Sequence, residues 1–144
     1  MQRKQLSPKI WIIEEFLSEK ECDDLIFFSE TKGFDEAEVS LSSGSKMMKG
    51  VRNNYRLIYE DKGLAQKLWD KLAPFCPAQL DDWQALELNE RFRFYRYESG
   101  QRFKRHIDGR FKRNAQEESR ITFMVYLNDD FLGGETKFDD ISVR

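Results

Sequence analysis

Histidine is almost missing from this sequence: His106 is the only one in 144 residues. A metal site that needs more than one imidazole therefore cannot be completed within these residues. Cysteine is scarce too. Cys22 and Cys76 stand in no metal-like spacing, each among apolar neighbours, and read as reduced core thiols of a reducing cytosol. No apolar run approaches the roughly 20 residues that span a bilayer, so no membrane role is expected. Met1-Gln-Arg-Lys4 is basic like the start of a secretory signal, but no apolar stretch follows it. The expectation is a cytoplasmic protein. Neither sign of charge dominates, and a net charge of -2 argues against a protein built mainly to coat nucleic acid or a membrane surface.

What is present suits a folded domain. Hydrophobic residues at 40% and charged residues at 35% leave little room for disorder along the whole length. The aromatic share of 14%, with 12 Phe, points to sheet-rich packing. The length fits one domain, 1–144, with an α/β front over 1–89 and an all-β section over 90–144.

The front half carries clear local signals. Ile10 to Ile13 reads as a buried strand. Ser18 and Glu21 form a capping box for a first helix, with Leu17 and Cys22 at the staple positions. Cys22, Leu25, Ile26 and Phe28 give that helix its apolar stripe, and Gly33 its C-cap. Ser40 to Gly50 reads as a mobile loop, and Tyr55 to Tyr59 as a strand. Leu64, Leu68 and Leu72, widened by Ala65 and Trp69, predict a second helix that Pro74 ends. Further along, Arg91 to Tyr97 alternates almost strictly, so Arg91, Arg93, Tyr95 and Tyr97 share one strand face, unusually polar for a core. Phe103 to Asp108 suggests another strand and Arg110 to Ser119 a charged loop. Ile121 to Leu127 is the most strand-like stretch of all, and Glu135 to Phe138 starts one more strand.

The chemistry centres on His106-Ile-Asp108. On a strand, residues two apart project from the same face, so an imidazole and a carboxylate can converge on one cation. They are two of the three ligands of the facial triad that leaves open positions on Fe(II). The tripeptide alone is a weak signal, since a surface His beside a solvated Asp has the same sequence.

Its surroundings sharpen it. Tyr97-Glu-Ser-Gly-Gln101, Phe103 and His106-Ile-Asp108 resemble the Tyr-x-x-Gly-Gln-x-aromatic-x-x-His-x-Asp element of Fe(II)- and 2-oxoglutarate-dependent dioxygenases of the prolyl 4-hydroxylase type. Arg120-Ile-Thr122, Tyr126-Leu-Asn128, Gly133-Gly-Glu-Thr136 and Phe138 follow in the same order as that family's next strand and turn. The match runs over residues 92–138, and the earlier residues agree more loosely through Arg52-Asn-Asn-Tyr-Arg56. The resemblance implies an α+β fold: a double-stranded β-helix, or jelly roll, with N-terminal helices packed on it. It implies His106 and Asp108 as metal ligands, and Tyr97, Tyr126 and Thr122 around the co-substrate. It implies Fe(II), 2-oxoglutarate and O₂, with ascorbate as reductant. The reaction implied is hydroxylation of a protein, peptide or small molecule with release of succinate and CO₂. Gly133 and Gly134 read as a turn rather than a ligand contact.

The sequence departs from that pattern at its end. The family uses a second His several dozen residues after the Asp, then a Lys or Arg for the far carboxylate of 2-oxoglutarate. Neither is found here, so the expectation is a truncated chain or fragment holding only the first part of the barrel. Such a chain would be inactive alone and would self-associate through uncovered sheet faces. Two other classes compete. Residues 91–113 hold nine Lys or Arg (Arg91, Arg93, Arg96, Arg102, Lys104, Arg105, Arg110, Lys112, Arg113) against Glu98 and Asp108. Interleaved with aromatics, they suit a non-catalytic module for nucleic acid or protein partners. The other is a catalytically silent relative that acts as an interaction module.

Overall fold

The computed structural model of the protein describes residues 1–36, 39–41, 44–46, 54–101, 109–138 and 141–143. It opens with an antiparallel hairpin of β1 (Gln2–Ser7) and β2 (Ile10–Glu14), in register from Gln2 opposite Glu14 to Gln5 opposite Trp11, with a shift of one residue before Ser7 meets Ile10. β2 meets the expectation for Ile10 to Ile13. β1 does not appear in the sequence pattern, because its largely polar residues are exposed and its order comes from pairing with β2.

Helix α1 (Glu19–Lys32) begins where the capping box places it. The Ser18 hydroxyl accepts from the Glu21 amide at 3.1 Å, and the Glu21 carboxylate accepts from the Ser18 amide at 3.1 Å. Those bonds hold the Glu21 carboxyl below its ordinary range. At the other end the Gly33 amide donates to the Ser29 carbonyl at 3.0 Å. β3 (Asp35–Glu36) follows, then a short hairpin of β4 (Val39–Leu41) and β5 (Gly44–Lys46). Part of the stretch expected to be a loop is thus a ladder: Ser and Gly favour turns but do not forbid pairing. Residues 42, 43 and 47–53 lie outside the described set.

β6 (Tyr55–Glu60) leads into helix α2 (Lys62–Leu72), whose N-cap is Asp61, with its carboxylate accepting from the Leu64 amide at 2.9 Å. A 3₁₀ turn over Ala73–Phe75, with Pro74 in its first turn, ends the helix as expected. After β7 (Gln79–Leu80) and β8 (Trp83–Gln84) comes β9 (Arg91–Arg96), which pairs with β6 from Glu60 opposite Arg91 to Tyr55 opposite Arg96. β3 adds to the other edge of β6, giving the order β3-β6-β9. A hairpin of β10 (Thr136–Phe138) and β11 (Ile141–Val143) comes last.

The alternation read from Arg91 to Tyr97 is visible in the burial of β9, where Phe92, Phe94 and Arg96 are half-buried and Arg91, Arg93 and Tyr95 exposed. α1 covers the first face. Phe28 meets Tyr59 edge-on at 4.8 Å and Phe94 at 6.0 Å, and Arg96 reaches Glu30 at 3.1 Å. The main apolar cluster is Phe16, Leu68 and Leu72, with Ile13, Leu64, Trp69, Phe92 and Phe123 packed against it. It therefore draws on both the front and the later half of the chain. Cys22 and Cys76 are free and only half-buried, with burial raising both thiols above their ordinary range.

Two expectations about sheets change. Residues 121–127, the most strand-like by sequence, join no ladder among the described residues. Alternation selects which side chains turn inward, and Phe123, Val125 and Leu127 do so while Met124 is 52% exposed. A strand, however, also needs a partner backbone, and none lies beside this segment among the described residues. For the same reason the strands of the described residues make five separate antiparallel sheets and no closed jelly roll. No helix among these residues is long and apolar enough to cross a membrane.

Leu72 is 4% exposed at the centre of the cluster and Leu132 is 98% exposed. Leu72→Ala should cost about 3 kcal/mol in urea unfolding, and Leu132→Ala should stay within about 0.5 kcal/mol of the parent.

Candidate functional site

His106 and Asp108 fall in residues 102–108, which lie outside the described set, as does the strand expected over Phe103 to Asp108. The structure does describe the chain on either side. Tyr97 stands just past the end of β9 and is 49% exposed. The next four residues form a tight turn. The Gln101 amide donates to the Glu98 carbonyl at 2.9 Å, and the Gln101 side-chain oxygen accepts from the Glu98 amide at 2.7 Å. Gly100 sits at φ +81, a conformation that side chains other than glycine's rarely adopt. The Tyr-x-x-Gly-Gln spacing thus has a mechanical meaning: glycine makes the turn and glutamine locks it.

On the far side of residues 102–108, residues 110–119 form a hairpin-like loop. Phe111 and Ser119 exchange two bonds, from the Ser119 amide to the Phe111 carbonyl at 2.8 Å and from the Phe111 amide to the Ser119 hydroxyl at 2.9 Å. Asn114 closes the tip by accepting from the amides of Gln116 and Glu117 at 2.8 and 2.9 Å. The loop is tied to the start of β9 by a bidentate pair, with Arg113 donating to both Glu90 oxygens at 2.8 and 2.6 Å. The Glu90 carbonyl also accepts from the amide of Asp61, the N-cap of α2, at 2.9 Å. Glu90 therefore joins the entry of β9, the start of α2 and the loop that follows Asp108.

A second carboxylate in this region is more deeply placed. The Glu118 side chain is 9% exposed, between the guanidinium groups of Arg110 at 3.5 Å and Arg120 at 3.7 Å, and Arg120 lies 4.2 Å over the Trp83 ring. Residue spacing gave no sign of either Glu90 with Arg113 or Glu118 with its two arginines. The only trace was the dense mixture of both charges around 110–120.

Tyr126 is half-buried, and its hydroxyl is committed to the final hairpin. It bonds the Thr136 hydroxyl, the Val143 carbonyl at 3.2 Å and the Gly134 carbonyl at 3.4 Å. Gly133 and Gly134 adopt φ +75 and +73, a conformation that suits the turn expected there. Thr122 is exposed. Among the described residues no three His, Cys, Asp or Glu side chains come together as a metal site. Asn54, from the Arg-Asn-Asn-Tyr-Arg stretch, is wholly buried, and its side-chain amide donates to the Tyr55 carbonyl at 3.1 Å.

With this frame in place, comparison with known proteins points to the class. Residues 92–143 match the 2OG-Fe(II) oxygenase superfamily. The chain is also similar to plant prolyl 4-hydroxylases. It is 30% identical to probable prolyl 4-hydroxylase 7 of Arabidopsis thaliana over 138 residues, covering 92% of this chain and 42% of that protein. It is 31% identical to prolyl 4-hydroxylase 2 of the same plant over 144 residues, covering 95% and 46%, and 28% identical to prolyl 4-hydroxylase 1 over 145 residues, covering 92% and 47%. The chain spans less than half the length of these curated relatives. No solved structure matches it significantly. The resemblance read from Tyr97 to Phe138 holds, and the matched segment contains His106-Ile-Asp108.

The Glu90 carboxyl, paired with Arg113, is held down at about 2 from its ordinary 4.5. A depressed carboxyl stabilises the fold above its unfolded value and loses that contribution as pH falls towards the folded one. The stability gap between the parent and Glu90→Gln should therefore be full at pH 6 and close between about pH 4.5 and 2. Urea midpoints taken across that range would show it, and parallel curves would count against the pair.

Proposed function

We propose that this chain carries the metal-binding front of an Fe(II)- and 2-oxoglutarate-dependent hydroxylase acting on a residue of a protein or peptide, prolyl being the first candidate. The observation that carries this reading is the match over residues 92–143, together with the Tyr97–Gln101 turn that leads from β9 towards His106-Ile-Asp108. The names of the relatives support the prolyl target, and the family match supports the metal and co-substrate.

The donor set suits the metal in part. His106 and Asp108 supply one imidazole and one carboxylate, the mixed nitrogen and oxygen set that Fe(II) accepts with open positions to spare. As His106 is the only histidine in the 144 residues, a second imidazole has to come from outside them. When bound, the iron supplies activation of O₂ at the expense of 2-oxoglutarate, which leaves as succinate and CO₂. The residues of this chain do the holding. Tyr97, half exposed, occupies the position where the resemblance puts a tyrosine against the co-substrate carboxylate. Tyr126 offers its ring edge, since its hydroxyl is occupied by the final hairpin. Thr122 stands four residues before Tyr126, on the same side of an extended segment, and adds a short hydroxyl donor there. The jelly-roll surround and ascorbate as reductant belong to the same reading.

In the native gene product, His106→Ala and Asp108→Ala should each lower 2-oxoglutarate decarboxylation at least about a hundredfold. Ligands act as a unit, so the double substitution should add little to either single one. Assays of labelled CO₂ release would check this. Substantial turnover by either single variant would place the metal elsewhere.

A further inference from the structure

Among the described residues, two cations on the outer face of the β6–β9 ladder have no ion-pair partner. Opposed residues share a side of a sheet, so the register puts Arg91, Arg93 and Tyr95 together with Glu60, Ile58 and Arg56 on the face turned away from α1. Most arginines nearby have acidic partners: Arg96 pairs with Glu30 and Glu98, Arg113 with Glu90, and Arg110 and Arg120 with Glu118. Arg91 and Arg93 are exposed, and among the described residues no carboxylate lies within ion-pair distance of either side chain. They lie two residues apart on the strand that runs on in sequence to Tyr97, so a molecule lying along its outer face meets both cations.

We infer that Arg91 and Arg93 form a docking rail for an acidic peptide, which selects the substrate of the hydroxylase proposed above. The inference rests on that reading for its peptide substrate. The match is one of spacing and charge. Alternate residues on a strand lie roughly 7 Å apart, and so do alternate residues of an extended peptide laid beside it. Two carboxylates at alternate positions therefore meet the two guanidinium groups together, each able to take a forked pair of hydrogen bonds. A nucleic-acid strand is the weaker fit, because a chain of net charge -2 has no broad positive field to gather phosphates.

The test uses the native gene product and three labelled probes. One is an extended prolyl peptide with two Glu at alternate positions, another is the same peptide with Gln, and the third is a single-stranded RNA of similar length. Fluorescence anisotropy is read without iron, so that docking is measured apart from turnover. The Glu peptide should bind about fivefold tighter than the Gln peptide at low salt, as two exposed ion pairs allow. That preference should shrink on raising the salt. It should vanish in Arg91→Gln/Arg93→Gln and survive both in Arg91→Lys/Arg93→Lys and in a Lys9→Gln control on the first hairpin. Equal binding of the two peptides, or a Glu preference untouched by the Gln variant, overturns the inference. So does RNA that binds more tightly than the Glu peptide. Turnover of 2-oxoglutarate is measured in parallel. A Glu preference without turnover removes the oxygenase reading and leaves the rail, whereas turnover without a Glu preference removes the rail alone.

Discussion

Pairing of β9 with β6 along six residues is the constraint on which the other features hang. It fixes which side chains of Arg91 to Arg96 face α1 and which face outward, and a slip of one residue would exchange the two sets. The inward set closes the packing of α1 through Phe94, and Phe92 joins the Phe16–Leu68–Leu72 cluster. The outward set leads to Tyr97 and the glycine turn that precedes the His106-Ile-Asp108 segment. At the start of the same strand, Glu90 holds α2 by its carbonyl and the 110–119 loop by its carboxylate. The His106-Ile-Asp108 segment is thus bracketed by two anchored pieces of chain, the kind of support a catalytic site needs.

Much of the chain up to Tyr97 was legible because its signals are local. The Ser18–Glu21 capping box, the Leu64, Leu68 and Leu72 stripe and the alternation of Arg91 to Tyr97 each report on a few neighbouring residues, and each is found as read. The failures share a different origin. β1 is polar and becomes a strand only because β2 lies beside it. Residues 121–127 have strong strand chemistry and no partner among the described residues, so pattern and outcome part company. The Arg113–Glu90 pair joins residues 23 apart, a distance at which composition says only that both charges are plentiful.

The site was legible to the extent that it is a motif. The glycine turn gives Gly100 and Gln101 of the motif their role, and the final hairpin links Tyr126 with Gly134 and Thr136 because the phenol hydroxyl binds that hairpin. The family resemblance gave Tyr126 a pocket-lining position without showing that its hydroxyl would already be engaged. Nor could spacing reveal the burial of Glu118 between two arginines, since Arg110 and Arg120 lie on either side of it in the chain and their convergence depends on the loop closing.

The proposed metal site takes His106 and Asp108 as ligands and leaves its remaining positions to 2-oxoglutarate. Cobalt(II) in place of iron tests it most directly, because its visible spectrum reports the ligands without any turnover. The native gene product should show a nitrogen- and oxygen-ligated spectrum that changes when 2-oxoglutarate is added and is lost in His106→Ala. A spectrum that keeps its form, and its response to 2-oxoglutarate, after both His106 and Asp108 are replaced would contradict it.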